Sequence, residues 1–554
     1  MDIEKASSAQ TTLTPVSIAI GDDEQARTNT ESGTTIVGPT TAPSIATWKL
    51  VSLYSSICIG LFLSFLDTSI IATAIYTIGV EFHSLSKANW IALSYTLAYV
   101  GCTAIFASLS DVVGRRNAYV AAFVIFLAFS LGCGFAQNLD QLIAMRALQG
   151  VGGSGLYSVG FVVLTETASP RMSRMIGALA GAIIAISGIL GPVLGGVITN
   201  YTTWRWIFWL NAPVGIIPLI LFITVWPDKT QIRGFQRRGF KQIDILGFLL
   251  LIASSVPFVI AFQQAGIHVL LDSSIWKSAL FVAPLVVGVL CFVALFAWEW
   301  FVARRWPDTI GALFPMRLAK NRVYMSAVTA TMLTGFPYFF IVYSLPTRFQ
   351  VVNGKSAIAS GIALLPMLGA SAVGTTIAGA ASSKKNNTFA INVIGAALML
   401  VGTASLSTLD NTVAPQARAY GLQVFLGFGF GLTVSNSTLL AILEAELRDR
   451  SVAQGVMAQV RVLGGSIGIA ASTAILGVKQ RQQLLDPMVV SAAQLESLAG
   501  SIRTLSPEKV LAIRQAYTDA FNETLVVCSV VSGVALLASL AAWRKQPTTM
   551  WTRE

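Results

Sequence analysis

Two ionisable side chains in stretches otherwise suited to lipid set the chemistry open to this chain. Asp67 is the only acid in the apolar block from about Leu50 to Ile75, and Arg146 lies within LIAMRALQGVGGSG, residues 142–155, in a second such block. A charge at the centre of a bilayer costs about 3 kcal/mol on the cheapest scale, so it persists mainly where it faces a protein interior, a partner or water. Burial favours the neutral form of a carboxyl and an adjacent guanidinium the charged form. An acid held between those pulls can take up and release a proton. Two plainer readings stand beside that one: Asp67 and an arginine form a permanent structural pair, or Arg146, about one turn inside the boundary, reaches the headgroups along its own stem. The small residues after Arg146 (Gly150, Gly152, Gly153, Ser154, Gly155) let helix backbones approach closely, which suits a packed inner helix.

Further groups have spacings that imply a task. Asp111, Gly114, Arg115 and Arg116 form a short loop of mixed charge, able to latch neighbouring helices in one state or simply to orient the chain. In ISGILGPVLGG, Ser187, Gly191 and Gly195 recur every fourth residue and share a helix face, with Gly196 beside them. Pro192 within that run should bend or hinge the helix. Gly427, Gly431 and Ser435, then Gly464, Gly468 and Ser472, form similar stripes later in the chain, and Arg461 lies near the second of them.

The elements that must position these groups follow from composition. The chain has 554 residues, 54% hydrophobic and only 11% charged, with a mean hydropathy of +0.69. A soluble domain carries about 25% charged residues. The apolar residues fall in repeated blocks of about 20, the length that crosses hydrocarbon as a helix, and not in the short alternating segments of a barrel. The expected architecture is an all-α polytopic membrane protein of fourteen spans. Residues 1–47 form a polar tail rich in Ser, Thr, Asp and Glu, expected to be disordered. Residues 48–226 hold spans 1–6, 227–243 a basic loop, 244–301 spans 7 and 8, 302–320 a loop with an amphipathic interfacial piece, and 321–543 spans 9–14. A long loop is expected at 479–518, span 14 from about Leu525, and a tail at 544–554. Glu299 is expected at the membrane interface.

The net charge of +11 could suggest nucleic acid, but the basic residues cluster in short inter-span loops, which fits an anionic membrane face. Those loops (Arg115/Arg116, Arg171/Arg174, Lys229 to Lys241, Arg304 to Arg322, Lys384/Lys385, Arg448/Arg450, Arg544/Lys545) all fall on one side, with scattered basic residues such as Lys87, Lys277 and Arg348 opposite. The positive-inside rule then places both termini in the cytoplasm. The five cysteines lie in apolar blocks with no metal spacing. The two histidines, His83 and His268, lie near loops, and no phosphate-binding loop is present. Enzymatic and ATP-driven readings therefore have no motif behind them.

LDTSIIATAI in span 1, DVVGRR after span 2, RALQGVGG in span 4, GPVLGG in span 5 and WRWIFWLNAPVG in span 6 cover the first half in order. On these the chain resembles the major facilitator superfamily, and within it the fourteen-span drug:proton antiporters, fungal efflux pumps of drugs and toxins among them. It departs from that pattern at Ala107 and Val112 in the loop motif, at Ser187 in the span 5 motif and at Tyr76 after span 1.

The resemblance implies two six-helix bundles plus two linking spans. It implies export by alternating access driven by the proton gradient, with no cofactor, and a monomer in the bilayer, most naturally the plasma membrane, with a vacuolar or vesicle membrane as the alternative. Asp67 and Arg146 would couple protons, Asp111, Gly114, Arg115 and Arg116 would form the latch, and Gly191, Pro192, Gly195 and Gly196 the antiporter hinge. Cargo would bind near the midplane between the halves, with Gln149, Tyr338, Tyr343, Gln423 and Asn436 as candidate lining. Gln and Asn at such depth also serve simply to bond helices together. The rival functions are a fourteen-span siderophore or other small-molecule importer, and a transport-inactive sensor on the same scaffold. The glycine–proline motif of span 5 favours export.

Overall fold

The computed structural model of the chain describes residues 47–167, 170–227, 239, 243–270, 273–306, 313–382, 386–412, 414, 416–446, 449–485 and 506–545. The expected N-terminal tail, most of the basic loop at 227–243 and the far C-terminus lie outside the described residues. Among the described residues, fourteen helices are long and apolar enough to cross a membrane. Spans 1–6 are Thr47–Thr73, Leu85–Val113, Arg115–Gly134, Leu139–Leu164, Ala182–Tyr201 and Trp206–Val225. Spans 7 and 8 are Ile245–His268 and Ala279–Arg305. Spans 9–14 are Arg322–Val351, Ala357–Ala381, Thr388–Leu406, Ala417–Glu444, Val452–Leu485 and Pro507–Leu540.

Two boundaries differ from expectation. Span 14 starts at Pro507, so the long loop shrinks at both ends. The amphipathic stretch Thr518–Asn522 reads as loop by hydropathy, yet Thr518, Ala520 and Phe521 are buried, so tertiary packing draws it into the helix. Arg348, read as a scattered loop base, lies inside the helix of span 9, where Nη2 donates to the Asp410 carbonyl at 3.0 Å.

Packing follows the glycine stripes. A Cβ on Gly427 or Gly431 of span 12 would collide with the carbonyls of Met367 and Ser371 in span 10. One on Gly464 or Gly468 would meet those of Met332 and Phe336 in span 9. Without a hydrophobic force between helices in lipid, such backbone contact is what binds them.

The halves meet along two seams. In one, spans 2 and 13 run antiparallel. Gln459 Nε2 donates to the Val100 carbonyl at 2.9 Å, Ser466 Oγ to Thr96 Oγ1 at 3.0 Å, and Asn89 Nδ2 to Thr473 Oγ1 at 2.7 Å. The donors and acceptors on span 13 are seven residues apart, so they stay on one face. In the other seam, spans 1 and 5 meet spans 9 and 10. Span 7 packs against spans 2 and 13, with Gly266 against Thr473 and Gly477. Span 8 lies on span 7 and is otherwise largely uncovered, with Val286, Leu290 and Val293 exposed along it.

Candidate functional site

Span 1 is α-helical to Ile70, tightens to a 3-10 turn at Ile71–Thr73, and resumes as a short helix, Ile75–Glu81. Asp67 lies just before that break, inside the bundle, with 1% exposure. Its Oδ2 accepts from Arg146 Nη1 in a short ion pair. Its Oδ1 accepts from Gln149 Nε2 at 2.9 Å and Asn211 Nδ2 at 3.2 Å. Arg146, with 0% exposure, also donates from Nη1 to Gln149 Oε1 at 2.9 Å and from Nε to the Ile91 carbonyl at 3.2 Å. Its guanidinium carbon stands 4.4 Å from the Tyr95 ring centre and 5.5 Å from that of Phe208. Asn211 is itself held through Ser130 Oγ at 2.9 Å, which donates to the Phe208 carbonyl at 2.8 Å.

The rival reading, in which Arg146 reaches the headgroups, does not hold: its side chain turns inward, where the carboxylate and four further polar or aromatic partners lie. Gly150 and Gly153 make room for this, as side chains there would strike the Tyr95 backbone and hydroxyl.

The next residues along span 1 face other elements. The Thr68 carbonyl accepts from Tyr343 Oη of span 9 at 2.6 Å, a bond between the halves. Ser69 Oγ donates to the Ser187 carbonyl at 2.9 Å. Gly191 and Gly195 of span 5 lie against Ser69 and Ile70, where any side chain would collide. Gly196 turns the other way, onto Ala357 and Ile358 of span 10, and Gly361 of span 10 lies against the Pro192 carbonyl. The GPVLGG segment is thus a wedge touching span 1 on one face and the second half on the other.

The charged loop after span 2 ties helices of the first half. Arg115 Nη1 pairs with Asp111 at 2.5 Å, and Arg115 Nε and Nη2 bond both oxygens of Glu166, at the end of the span 4 helix, at 3.1 and 2.7 Å. Gly114 has φ of 101°, a conformation that favours glycine. Arg116 Nη2 donates to the Ile223 carbonyl at 2.9 Å. Glu166 was not singled out in the sequence, since an acid at a helix end near a basic loop resembles any solvated terminus.

The remaining candidates are dispersed. Tyr338 stacks on Phe430, ring centres 3.5 Å apart. Gln423 Nε2 donates to the Ala363 carbonyl and Asn436 Nδ2 to the Thr388 carbonyl, both at 2.8 Å, so each ties neighbouring helices of the second half. Gln149 belongs to the Asp67 cluster. Glu299, expected at the interface, has 1% exposure and lies beside Asp244 and the backbone of Leu313 and Phe314; Asp244 Oδ1 accepts from Trp298 Nε1 at 2.7 Å.

The profile of the Major Facilitator Superfamily matches residues 57–469, and the chain belongs to that superfamily. It is similar to the MFS-type transporter FPY5 of Fusarium mangiferae, 31% identical over 510 residues that cover 90% of this chain and 84% of that one. It is 28% identical to the dehydrocurvularin exporter of Aspergillus terreus over 90% of this chain and 86% of that one. It is also 28% identical to multidrug resistance protein 3 of Bacillus subtilis, over 83% and 85%. In fold it is similar to an inward-facing bacterial homolog of the human lysosomal transporter Spinster, with TM-score 0.63 and 15% identity over 90% of this chain and 100% of that one. The protein is an integral membrane transporter of the fungal efflux type.

Proposed function

We propose that this transporter exports small, largely hydrophobic organic molecules in exchange for protons, by alternating access. One observation carries the reading. The Asp67–Arg146 pair is sealed from water one residue away from the Tyr343–Thr68 bond between the halves. A proton on Asp67 removes the charge that Arg146 is buried against. Leaving a buried charge without its partner costs about 3–5 kcal/mol. Driving a two-state equilibrium from 1:99 to 99:1 needs about 5.5 kcal/mol. The two magnitudes are comparable, so protonation of one carboxyl supplies much of the bias needed to part the halves beside Thr68.

In this reading the end carrying Arg115 and Arg116 is cytoplasmic, both termini lie there, and the protein works as a monomer in the plasma membrane. The proton gradient is its only energy source, and no cofactor takes part. Gly191 and Gly195 let span 5 slide on span 1, while Gly196 and Gly361 carry the movement to span 10. The Asp111–Arg115–Glu166 cluster holds spans 2, 3 and 4 together as one body during it. The test is extrusion of a lipophilic fluorescent dye from vesicles containing the purified protein, driven by an imposed proton gradient. Asp67→Asn is expected to abolish the dependence on the gradient. Full proton-driven extrusion by that variant overturns the coupling role.

A further inference from the structure

Where the start of span 9 meets the ends of spans 12 and 14, the second half encloses a cavity unlike the cluster around Asp67. It offers about 330 Å3, room for about ten waters and so for more than a single ion. Lys320, Asn321, Arg322 and Val323 line it at the start of span 9, Glu444 at the end of span 12, and Arg544 just after span 14. Three cations thus share the cavity with one carboxylate.

That carboxylate is already engaged. Glu444 Oε2 accepts from Asn321 Nδ2 at 2.8 Å and lies 3.7 Å from Arg544 Nη1. Arg322 Nη2 donates to the Trp543 carbonyl at 2.7 Å, which ties the end of span 14 to span 9 but leaves the guanidinium charged. Lys320 is exposed, and among the described residues its Nζ has no hydrogen bond or ion pair. The nearby acids do not help: Glu446 and Asp449 pair with Arg317, at 2.9 and 3.8 Å. Cations gathered in this way repel one another until an anion joins them.

The neighbouring helix leads from this cavity into lipid. Val530, Val534 and Leu537 of span 14 share a face by their spacing, and all three are exposed. Leu540 and Trp543, also exposed, continue toward Arg544. An apolar strip that ends in a cationic cavity at the membrane boundary matches a molecule with hydrocarbon tails and an anionic head. We infer that the cavity binds an anionic phospholipid of the cytoplasmic leaflet, its phosphate groups received by Lys320, Arg322 and Arg544 and its tails laid along the open face of span 14. The choice of leaflet rests on the orientation proposed above, and that leaflet is the one rich in anionic lipid. Three cations against one carboxylate suit a head group with more than one negative charge, such as a phosphorylated inositol. Bonds from guanidinium groups to phosphate are charge-assisted and therefore strong.

The test is native mass spectrometry of the purified full-length protein in neutral detergent. The protein is offered equal amounts of short-chain phosphatidylinositol 4-phosphate and phosphatidylcholine. The phosphoinositide is expected to bind at least about 10-fold more tightly. Lys320→Gln/Arg322→Gln/Arg544→Gln should erase the preference. Lys320→Gln alone, which breaks no bond of the fold, should weaken phosphoinositide binding about 5-fold. Arg304→Gln/Arg305→Gln, which removes two charges at the end of span 8 outside the cavity, should keep the preference. Equal binding of the two lipids, a preference that survives the triple variant, or an equal loss in the Arg304/Arg305 variant overturns the inference. So does full displacement of the lipid by an equal concentration of inositol 1,4-bisphosphate, which marks a site for soluble anions. The measurement needs neither a gradient nor a sided membrane. Failure of dye extrusion, or a reversed orientation, would instead overturn the reading above and leave the lipid site standing.

Discussion

Arg146 in the first half and Arg461 in the second are both arginines within spanning helices, and the protein treats them in different ways. Around Arg146 the polar groups close on one another: Asp67, Gln149 and the Ile91 carbonyl bond the guanidinium, Asn211 bonds Asp67, and neither charge of the pair is exposed beyond 1%. Around Arg461 there is one serine, Ser437, with no carboxylate paired to the guanidinium among the described residues and some exposure left. A closed ion pair can respond to a change in its own charge, such as a proton. The first half thus has the character of a switch, while the second holds its arginine on a neutral hydroxyl. Their positions differ too: the pair sits beside the Thr68–Tyr343 contact, while Arg461 lies against Ser437 of span 12 and Gly335 of span 9.

The contrast can be broken by removing charges one at a time. Arg146→Met should have the largest effect, because it leaves Asp67 buried and alone. The expected loss is about 3–5 kcal/mol, read as a large fall in the thermal midpoint of the purified protein. The double variant Asp67→Asn/Arg146→Met should recover much of it. A single variant as stable as the unmodified protein would show that the pair does not hold the first half together.

A smaller effect is expected from Asn436→Leu, which deletes one bond between spans 12 and 11. Such bonds within membranes are worth about 0.6 kcal/mol on average, so the midpoint should shift only slightly and transport should persist. Loss of cargo binding in this variant would move Asn436 from a helix tie to the binding surface.

Arg461→Met should have the smallest effect on stability, none or a slight gain, because it deletes a charge with no carboxylate to strand. Destabilisation as large as that of Arg146→Met would reveal a hidden partner and dissolve the contrast.

Much of this could be read along the chain. The apolar blocks marked the fourteen spans, and the glycine stripes marked faces of close approach. Asp67 and Arg146 were visible because charges interrupt hydrophobic runs so rarely. Glu299 shows the limit of that reading. Near the end of an apolar block an acid looks solvated, and only the packing of Asp244 and Trp298 around it makes it buried. Gln423 and Asn436 show the same limit from the other side: an amide in a membrane helix has one signature whether it binds cargo or a neighbouring carbonyl.

Hydrophobic thickness is a property of the bilayer, so the number of spans was written in the residues alone, as was the presence of Asp67, Arg146 and Arg461 inside them, whereas the lengths of spans 13 and 14 were set by packing. Which arginine meets the acid was settled by how the helices rotate and pack. That rotation depends on glycines and ring stacks from elements more than a hundred residues apart. The same packing that brought Asp67 to Arg146 left Arg461 bonded to the Ser437 hydroxyl of span 12.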